Sequence, residues 1–354
     1  MSVTLVINPG STSTKLAVFD NGSPRFSRTV SHPAEECAAF PKIIDQAPFR
    51  LQTILAALAE SGVSMEDFAG VIGIGGLLKS VDSGVYEISD AMLEDLRGQK
   101  YGEHAANLGA VLVRELSDRY QIPGYVADPI TVDEMQAVAR VSGHPLFPRY
   151  GRTHTLNHKR VAMSAAAELG KSYEDCRLIV AHMGGGVSIG AHAGGRIVDS
   201  TTSRGEGAFS MDRSGQLNSW ELAKLCFSGK YTKKEVLKML NGEGGVYAHL
   251  GTKDFREVER RMQEGDAAAR DVFCGLAYQT AKTIGSMAVV LEGRINAIVL
   301  TGGILYSKAF SETLCKQIQF LGKIILRPGE EEMESLAYYL DAVLSGRIAP
   351  KTYI

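Results

Sequence analysis

Leu178-Ile179-Val180-Ala181-His182-Met183-Gly184-Gly185-Gly186-Val187-Ser188-Ile189-Gly190-Ala191 is the stretch whose reading decides the fold. An apolar run of strand length stops at three glycines, and a second apolar run leads away from them. Short apolar runs bounded by turn residues read as buried strands. Three successive glycines admit a close backbone approach to a ligand, at an entropic cost that a plain turn rarely needs. A further turn is expected at Gly194-Gly195.

The N-terminus repeats the pattern. Residues 3–7 are apolar and stop at Asn8-Pro9-Gly10, and Leu16-Ala17-Val18-Phe19 returns as a second strand. Two such hairpins, roughly 175 residues apart, predict a duplicated domain. Residues 70–74, 125–127 and 297–300 read as further strands. Leu108, Val111, Leu112 and Leu116 share one helical face, and residues 156–169, 267–291 and 332–344 read as helices. Strands mixed with helices in both halves give an α/β class. The expected domains are residues 1–150, joined by the helix at 332–344, and residues 151–331.

The chain has 354 residues, 45% of them hydrophobic, which suits two domains with proper cores. A formal net charge of −2 leaves no electrostatic footprint for nucleic acid, so no nucleic-acid partner is expected. No run approaches the roughly 18 apolar residues of a membrane span, so no membrane partner is expected. The first residues lack the basic and apolar regions of a secretory leader. Cys37, Cys176, Cys226, Cys274 and Cys315 are scattered, odd in number and form no C-x-x-C pair. That usage suits reduced thiols in a cytoplasmic protein better than a zinc site or a disulfide frame.

Asn8-Pro9-Gly10-Ser11-Thr12-Ser13-Thr14-Lys15 combines a glycine, four hydroxyls and a lysine. Glycine lets backbone amides approach an anion, hydroxyls bond phosphate oxygens, and the lysine adds positive charge. The G-x-x-x-x-G-K-[ST] spacing of a Walker A loop is absent, and an ordinary Ser/Thr-rich hairpin turn would read the same way by itself. Thr301-Gly302-Gly303 ends a third apolar strand. Three strand-ending loops in this order point to one nucleotide held between two domains.

INPGSTSTKLAVF, GGLLKSVDSGVYE, GEHAANLGA, ADPITVDEM, ARVSGHP, IVAHMGGGVSIGAH, RSG, LCFSGKYT and IVLTGGI follow one another over nearly the whole chain. Together they resemble the acetokinase family, within the acetate kinase, sugar kinase and actin superfamily, and above all its butyrate-kinase branch. The resemblance implies two duplicated actin/ribonuclease-H-like domains with a nucleotide cleft between them. It implies ATP-dependent, reversible phosphorylation of a short-chain fatty acid, butyrate and ATP giving butyryl phosphate and ADP, with Mg2+. A homodimer or higher homo-oligomer, and a metabolic link to a phosphate acyltransferase, are implied as well.

Residue by residue, Asn8, Gly10, Ser11, Thr12, Ser13, Thr14 and Lys15 match the family's first phosphate loop, and His182, Gly184, Gly185 and Gly186 the second. Asp254-Phe255-Arg256 resembles the adenosine-holding segment, although an exposed helix start would also account for it. Gly302-Gly303-Ile304 matches the adenosine loop. Phosphoryl transfer to a carboxylate brings anions together, so catalysis rests on positioning and neutralisation of charge. Arg213 matches the family's transition-state arginine, whose planar fork suits phosphoryl oxygens. His154, in Thr153-His154-Thr155-Leu156-Asn157, matches a hydrogen-bond donor to the phosphoryl group, and Asp128 a positioning or magnesium-linked carboxylate. Asn8 and one of Glu330, Glu331 and Glu332, with Glu332 favoured, are the implied metal ligands; a solvated acidic helix start would read the same.

Two places depart from the family pattern. Ile74-Gly75-Gly76-Leu77-Leu78 has isoleucine where an arginine for the substrate carboxylate is usual. Ser203-Arg204-Gly205-Glu206-Gly207 has arginine where aspartate is usual, and Arg152 is also atypical. Arg204 and Arg152 are therefore the candidate replacement cations; an altered substrate or weakened activity is the other reading of these departures. Kinases for acetate, propionate or a branched acid, and a nucleotide-binding regulator with weak or no turnover, are the alternatives.

Overall fold

The computed structural model describes residues 3–202 and 205–354. They include twelve strands: β1 Val3–Pro9, β2 Ser13–Asp20, β3 Ser23–Ser31, β4 Phe68–Ile74, β5 Val85–Glu87, β6 Gly124–Ala127, β7 Leu178–Met183, β8 Val187–Ala193, β9 Arg196–Ser200, β10 Ala297–Gly302, β11 Ile324–Pro328 and β12 Lys351–Thr352. Contacts divide the chain into two units, one drawn from Met1–Asp133 and Glu331–Ile354, the other from Glu134–Glu330. Among the described residues no helix is long and apolar enough to cross a membrane.

The first unit holds a seven-stranded sheet in the order β12-β5-β6-β4-β1-β2-β3. β1 runs parallel to β4 and antiparallel to β2, with Asn8 opposite Lys15 and Pro9 opposite Thr14. β4 shows how both faces are covered. A Cβ on Gly73 would lie 2.9 Å from Val113 of the helix Asn107–Tyr120, whereas one on Gly70 would lie 3.3 Å from Leu340 of the helix Glu332–Leu344. Alternate residues of a strand point to opposite faces, so the two helices cover opposite sides. That explains the near-continuous apolar composition of β1 and β4.

The second unit repeats this plan in a five-stranded sheet, β11-β10-β7-β8-β9. β7 runs parallel to β10 and antiparallel to β8, as β1 does to β4 and β2. Ile179, Ala181 and Met183 of β7 belong to one core with Phe273, Leu276 and Ala277 of the helix Ala267–Val290. Leu178 and Val180 belong to another, with Val161, Ala162 and Ala165 of the helix Thr155–Glu168. Phe255, Phe273 and Phe310 form an aromatic cluster in the first of these cores, with centroids 5.2–5.7 Å apart. A buried ion pair, Lys159 to Glu134 at 2.6 Å, ties the helix Thr155–Glu168 to the segment ahead of it. The same ammonium donates to the Gly195 carbonyl at 2.8 Å, and Glu134 accepts from the Ile197 amide at 2.9 Å. With those hydrogen bonds made, the cost of burying both charges is offset.

Candidate functional site

In the second unit, β7 delivers His182 to the sheet's end and Gly184–186 turns the chain into β8. His154 precedes the first residue of the helix Thr155–Glu168. The His154 and His182 rings stack, with centroids 3.9 Å apart and planes at 17°. His154 Nδ1 lies 2.8 Å from Ser188 Oγ. His182 Nδ1 faces Asn157 Oδ1 at 3.2 Å, and its Nε2 faces Glu330 at 3.4 Å. Arg213 is held through its backbone, its carbonyl accepting from the Ser210 amide at 2.9 Å.

Gly186 is where these groups meet. A Cβ on Gly186 would lie 2.8 Å from Arg213 Nη1 and 3.2 Å from His154 Cε1, whereas one on Gly185 would meet nothing within 4 Å. The amides of Gly185 and Gly186 have no backbone partner among the described residues. A guanidinium, a histidine edge and open backbone amides thus surround one point, the donor set an oxyanion requires. Gly186→Ala is expected to displace Arg213 or His154 by a few tenths of an ångström and to lower turnover about tenfold or more. At Gly185 a Cβ meets nothing, so Gly185→Ala should act through ligand binding alone. Circular dichroism, turnover and ADP titration of both variants check this; normal turnover in Gly186→Ala would refute it.

His154, His158 and His192 are held neutral. His154 is pushed well below its ordinary value by burial and by His182, Arg213 and His158. His158 is pushed down to about 3, chiefly by burial and then by His182. His192 is lowered by burial, with His158 and Lys159 adding to it. Below about pH 6.5 the unfolded chain binds protons that these folded rings refuse. Their contribution to stability is complete above that pH and is lost as pH falls, by up to about 1.4 kcal/mol per pH unit for each ring. Urea unfolding at about pH 7.5 and about pH 5.5 should show the loss. A pH-independent midpoint would mean the rings protonate freely in the folded state.

Elsewhere in this unit, Gly302 ends β10 with φ 104°, and a Cβ there would collide with the Met183 carbonyl. Gly303 is exposed and Ile304 buried. Asp254 caps the helix Phe255–Gln263, accepting from the Arg256 amide at 2.9 Å, and pairs with the exposed Arg256 guanidinium at 2.6 Å. Phe255 is buried in the aromatic cluster. Arg152 lies with its guanidinium 4.9 Å from the centre of the Tyr150 ring. Arg204 lies outside the described residues.

In the first unit, the loop between β1 and β2 exposes Ser11 and Thr12, and Lys15 is exposed on β2. Gly10 closes it by donating to the Ser13 carbonyl at 2.7 Å. The Thr14 hydroxyl turns inward to His32 Nε2 at 2.8 Å. Beneath the loop lies Arg50, fully buried on the helix Ala47–Ser61. It donates to the carbonyls of Gly10 at 2.7 Å, Ser13 at 3.0 Å and Ser11 at 2.9 Å, and to Gln46 Oε1. Asn8 donates to Glu332 at 2.7 Å, while Glu330 belongs with His182 in the other unit. Among the described residues no group of three or more His, Cys, Asp or Glu side chains is arranged to hold a metal ion. Magnesium needs only one or two carboxylates and keeps several waters, and the Asn8 amide with the Glu332 carboxylate fits that demand. Asp128 is buried in a left-handed backbone conformation at φ 39°. Its carboxylate accepts from Ser83 at 2.7 Å, Gly84 at 2.8 Å and Tyr339 at 2.8 Å, so it clamps the 83–84 turn to the helix Glu332–Leu344. Ile74 ends β4, partly buried.

Sequence reasoning passed over Arg50, Asn157, His158, His192 and Ser188. The spacing of His154 and His158, one helical turn apart, could have flagged His158, and Asn157, Ser188 and His192 lie inside the family-matching stretches quoted above.

Residues 140–335 match the Acetate_kinase family, described as the acetokinase family. A butyrate kinase 2 of Clostridium acetobutylicum is 45% identical over 350 residues, 99% of this chain and 98% of that protein. The crystal structure of Porphyromonas gingivalis acetate kinase is similar with a TM-score of 0.79 at 20% identity, covering 97% of this chain and 100% of that one. A propionate kinase from Francisella tularensis subsp. tularensis SCHU S4 gives 0.76 at 19% identity, covering 95% and 98%. The fold is therefore the mixed α/β, actin/ribonuclease-H-like one.

Proposed function

The chain belongs to the acetokinase family, and from that premise we propose that it transfers the γ-phosphoryl group of ATP to the carboxylate of a short-chain fatty acid, butyrate before others. The observation that carries this reading is the convergence of Arg213 and His154 on Gly186. Arg213 would neutralise charge on the transferring group, its fork matching two phosphoryl oxygens. His154, kept neutral, would donate a hydrogen bond from Nε2. Gly185 and Gly186 would offer backbone amides, and His182 supports the His154 ring by stacking on it. The attacking carboxylate is already ionised at neutral pH, so no strong base is required, which suits a site whose His154 resists protonation. Asn8 and Glu332 would hold Mg2+, whose charge would help neutralise the nucleotide phosphates when bound. Ser11, Thr12, Ser13 and Lys15 would bond phosphate oxygens, and Gly302, Gly303, Ile304, Asp254 and Arg256 would serve the adenosine. Asp128 would act by positioning, since hydrogen bonds within the first unit occupy both its oxygens.

Ile74 cannot pair with the substrate carboxylate, and an unpaired buried charge is costly. We assign that pairing to Arg152 or Arg204. Steady-state assays with magnesium-ATP and acetate, propionate, butyrate or valerate test the whole reading. Butyrate is expected to give the highest kcat/KM, and no turnover with any acid would refute the function. Arg152→Ala or Arg204→Ala should raise the KM for the acid about tenfold while leaving that for ATP nearly unchanged. If neither does, and Ile74→Arg does not lower that KM, the pairing is wrong.

A further inference from the structure

A hydrogen bond from His154 to a phosphoryl oxygen requires a proton on Nε2, because a bare nitrogen lone pair would repel that oxygen. A neutral imidazole carries its proton on either nitrogen, and the choice is set by whatever faces the other one. For His154 the other nitrogen, Nδ1, faces Ser188 Oγ at 2.8 Å. From that hydroxyl a buried chain leads away from the site. Ser188 Oγ lies 3.0 Å from His158 Nε2, His158 Nδ1 lies 3.3 Å from His192 Nε2, and His192 Nδ1 lies 2.8 Å from the Tyr173 hydroxyl. Ser188, His158 and His192 are fully buried, and Tyr173 nearly so.

In every link one atom donates and the next accepts. The Ser188 hydroxyl already accepts from the His154 amide at 3.4 Å, so with one ring donating to it its own proton goes to the other. With all three rings neutral, one choice of direction then fixes every proton in the chain. If Tyr173 donates to His192 Nδ1, His192 donates from Nε2 to His158, His158 from Nε2 to Ser188, and Ser188 to His154 Nδ1. The His154 proton then sits on Nε2. In the opposite direction it sits on Nδ1 and a lone pair faces outward. A phenol donates more readily than it accepts, which favours the first direction. Strand geometry keeps the chain in line. Ser188 and His192 share one face of β8, and a Cβ on Gly190 between them would lie 3.5 Å from His158 Nδ1.

We propose that Tyr173 and His192 are positioning residues, and that the Tyr173 hydroxyl, donating into this chain, sets His154 as the Nε2-protonated tautomer that meets the phosphoryl group. The proposal rests on the role given to His154 under the proposed function, and its test separates the two. Long-range proton–nitrogen correlation on the full chain labelled with 15N-histidine reads each ring's tautomer without any turnover. The His154 signals are those missing from His154→Gln. In the wild type, His154 is expected to be protonated on Nε2. Tyr173→Phe, which removes one oxygen, should shift His154 towards a mixture of tautomers. It should also lower kcat about tenfold, the worth of one hydrogen bond, with little change in the KM for ATP. A wild-type His154 protonated on Nδ1 overturns the proposal, and so does an unaltered tautomer in Tyr173→Phe. A shifted tautomer with undiminished turnover upholds the chain's control of His154 and refutes instead the role of His154 in transfer.

Discussion

Arg213→Ala is expected to lower kcat by about 10²–10³ while the fold persists, the cost of removing one preorganised contact to a developing oxyanion. The guanidinium lies against Gly186, where no side chain would fit, and the backbone carbonyl of Arg213 is fixed by the Ser210 amide. Alanine retains that backbone anchor and removes only the charge. Arg213→Lys should recover little, because an ammonium lacks the planar fork. Turnover measured beside circular dichroism checks this; near-normal turnover by a folded Arg213→Ala would remove the residue from the mechanism.

Arg50→Ala should destabilise the first unit by about 2–4 kcal/mol, the cost of the charge-assisted hydrogen bonds it removes. Its guanidinium is the partner of the Gly10 and Ser11 carbonyls and a second donor to that of Ser13, which keeps the Gly10 amide, and a buried acceptor left unpaired costs about 1–3 kcal/mol. Drawing those carbonyls inward also turns the outer side of the loop towards its amides and hydroxyls, so ligand affinity should fall along with stability. Arg50→Lys keeps the charge but not the three-way reach and is expected to lie between. Urea unfolding and ADP calorimetry measure the two effects separately. A midpoint unchanged in Arg50→Ala would show that water replaces the guanidinium.

The strands that were legible in the sequence are those buried on both faces. The apolar run at 178–182 became β7, and that at 297–300 became β10, because covering helices demand unbroken hydrophobicity. β3 went unread because it is mostly exposed and its polar composition, Ser-Pro-Arg-Phe-Ser-Arg, carries no strand signal. The helix at Asn107–Tyr120 was visible from its Leu and Val spacing, whereas Ala47–Ser61 hid the one side chain that organises a loop. Arg50 was invisible for a physical reason: its partners are backbone carbonyls, which no residue type announces. His158 and His192 were missed because their meeting depends on a helix and a strand that lie far apart in sequence. Among Glu330, Glu331 and Glu332 the sequence favoured Glu332 without fixing the register; Glu332 accepts from Asn8.

The first unit is assembled from both flanks of the second. On a ribosome, β1 to β6 emerge early, but the helix Glu332–Leu344, which meets β4 through Leu340 and Leu344 at Gly70, is made only after the whole of Glu134–Glu330. The half that is begun first is therefore completed last. Until then one apolar face of its sheet has no cover, while the contiguous second unit can finish folding. The nascent chain thus carries an uncovered apolar sheet face until the last helix is made, the kind of exposed surface that makes folding intermediates prone to aggregate.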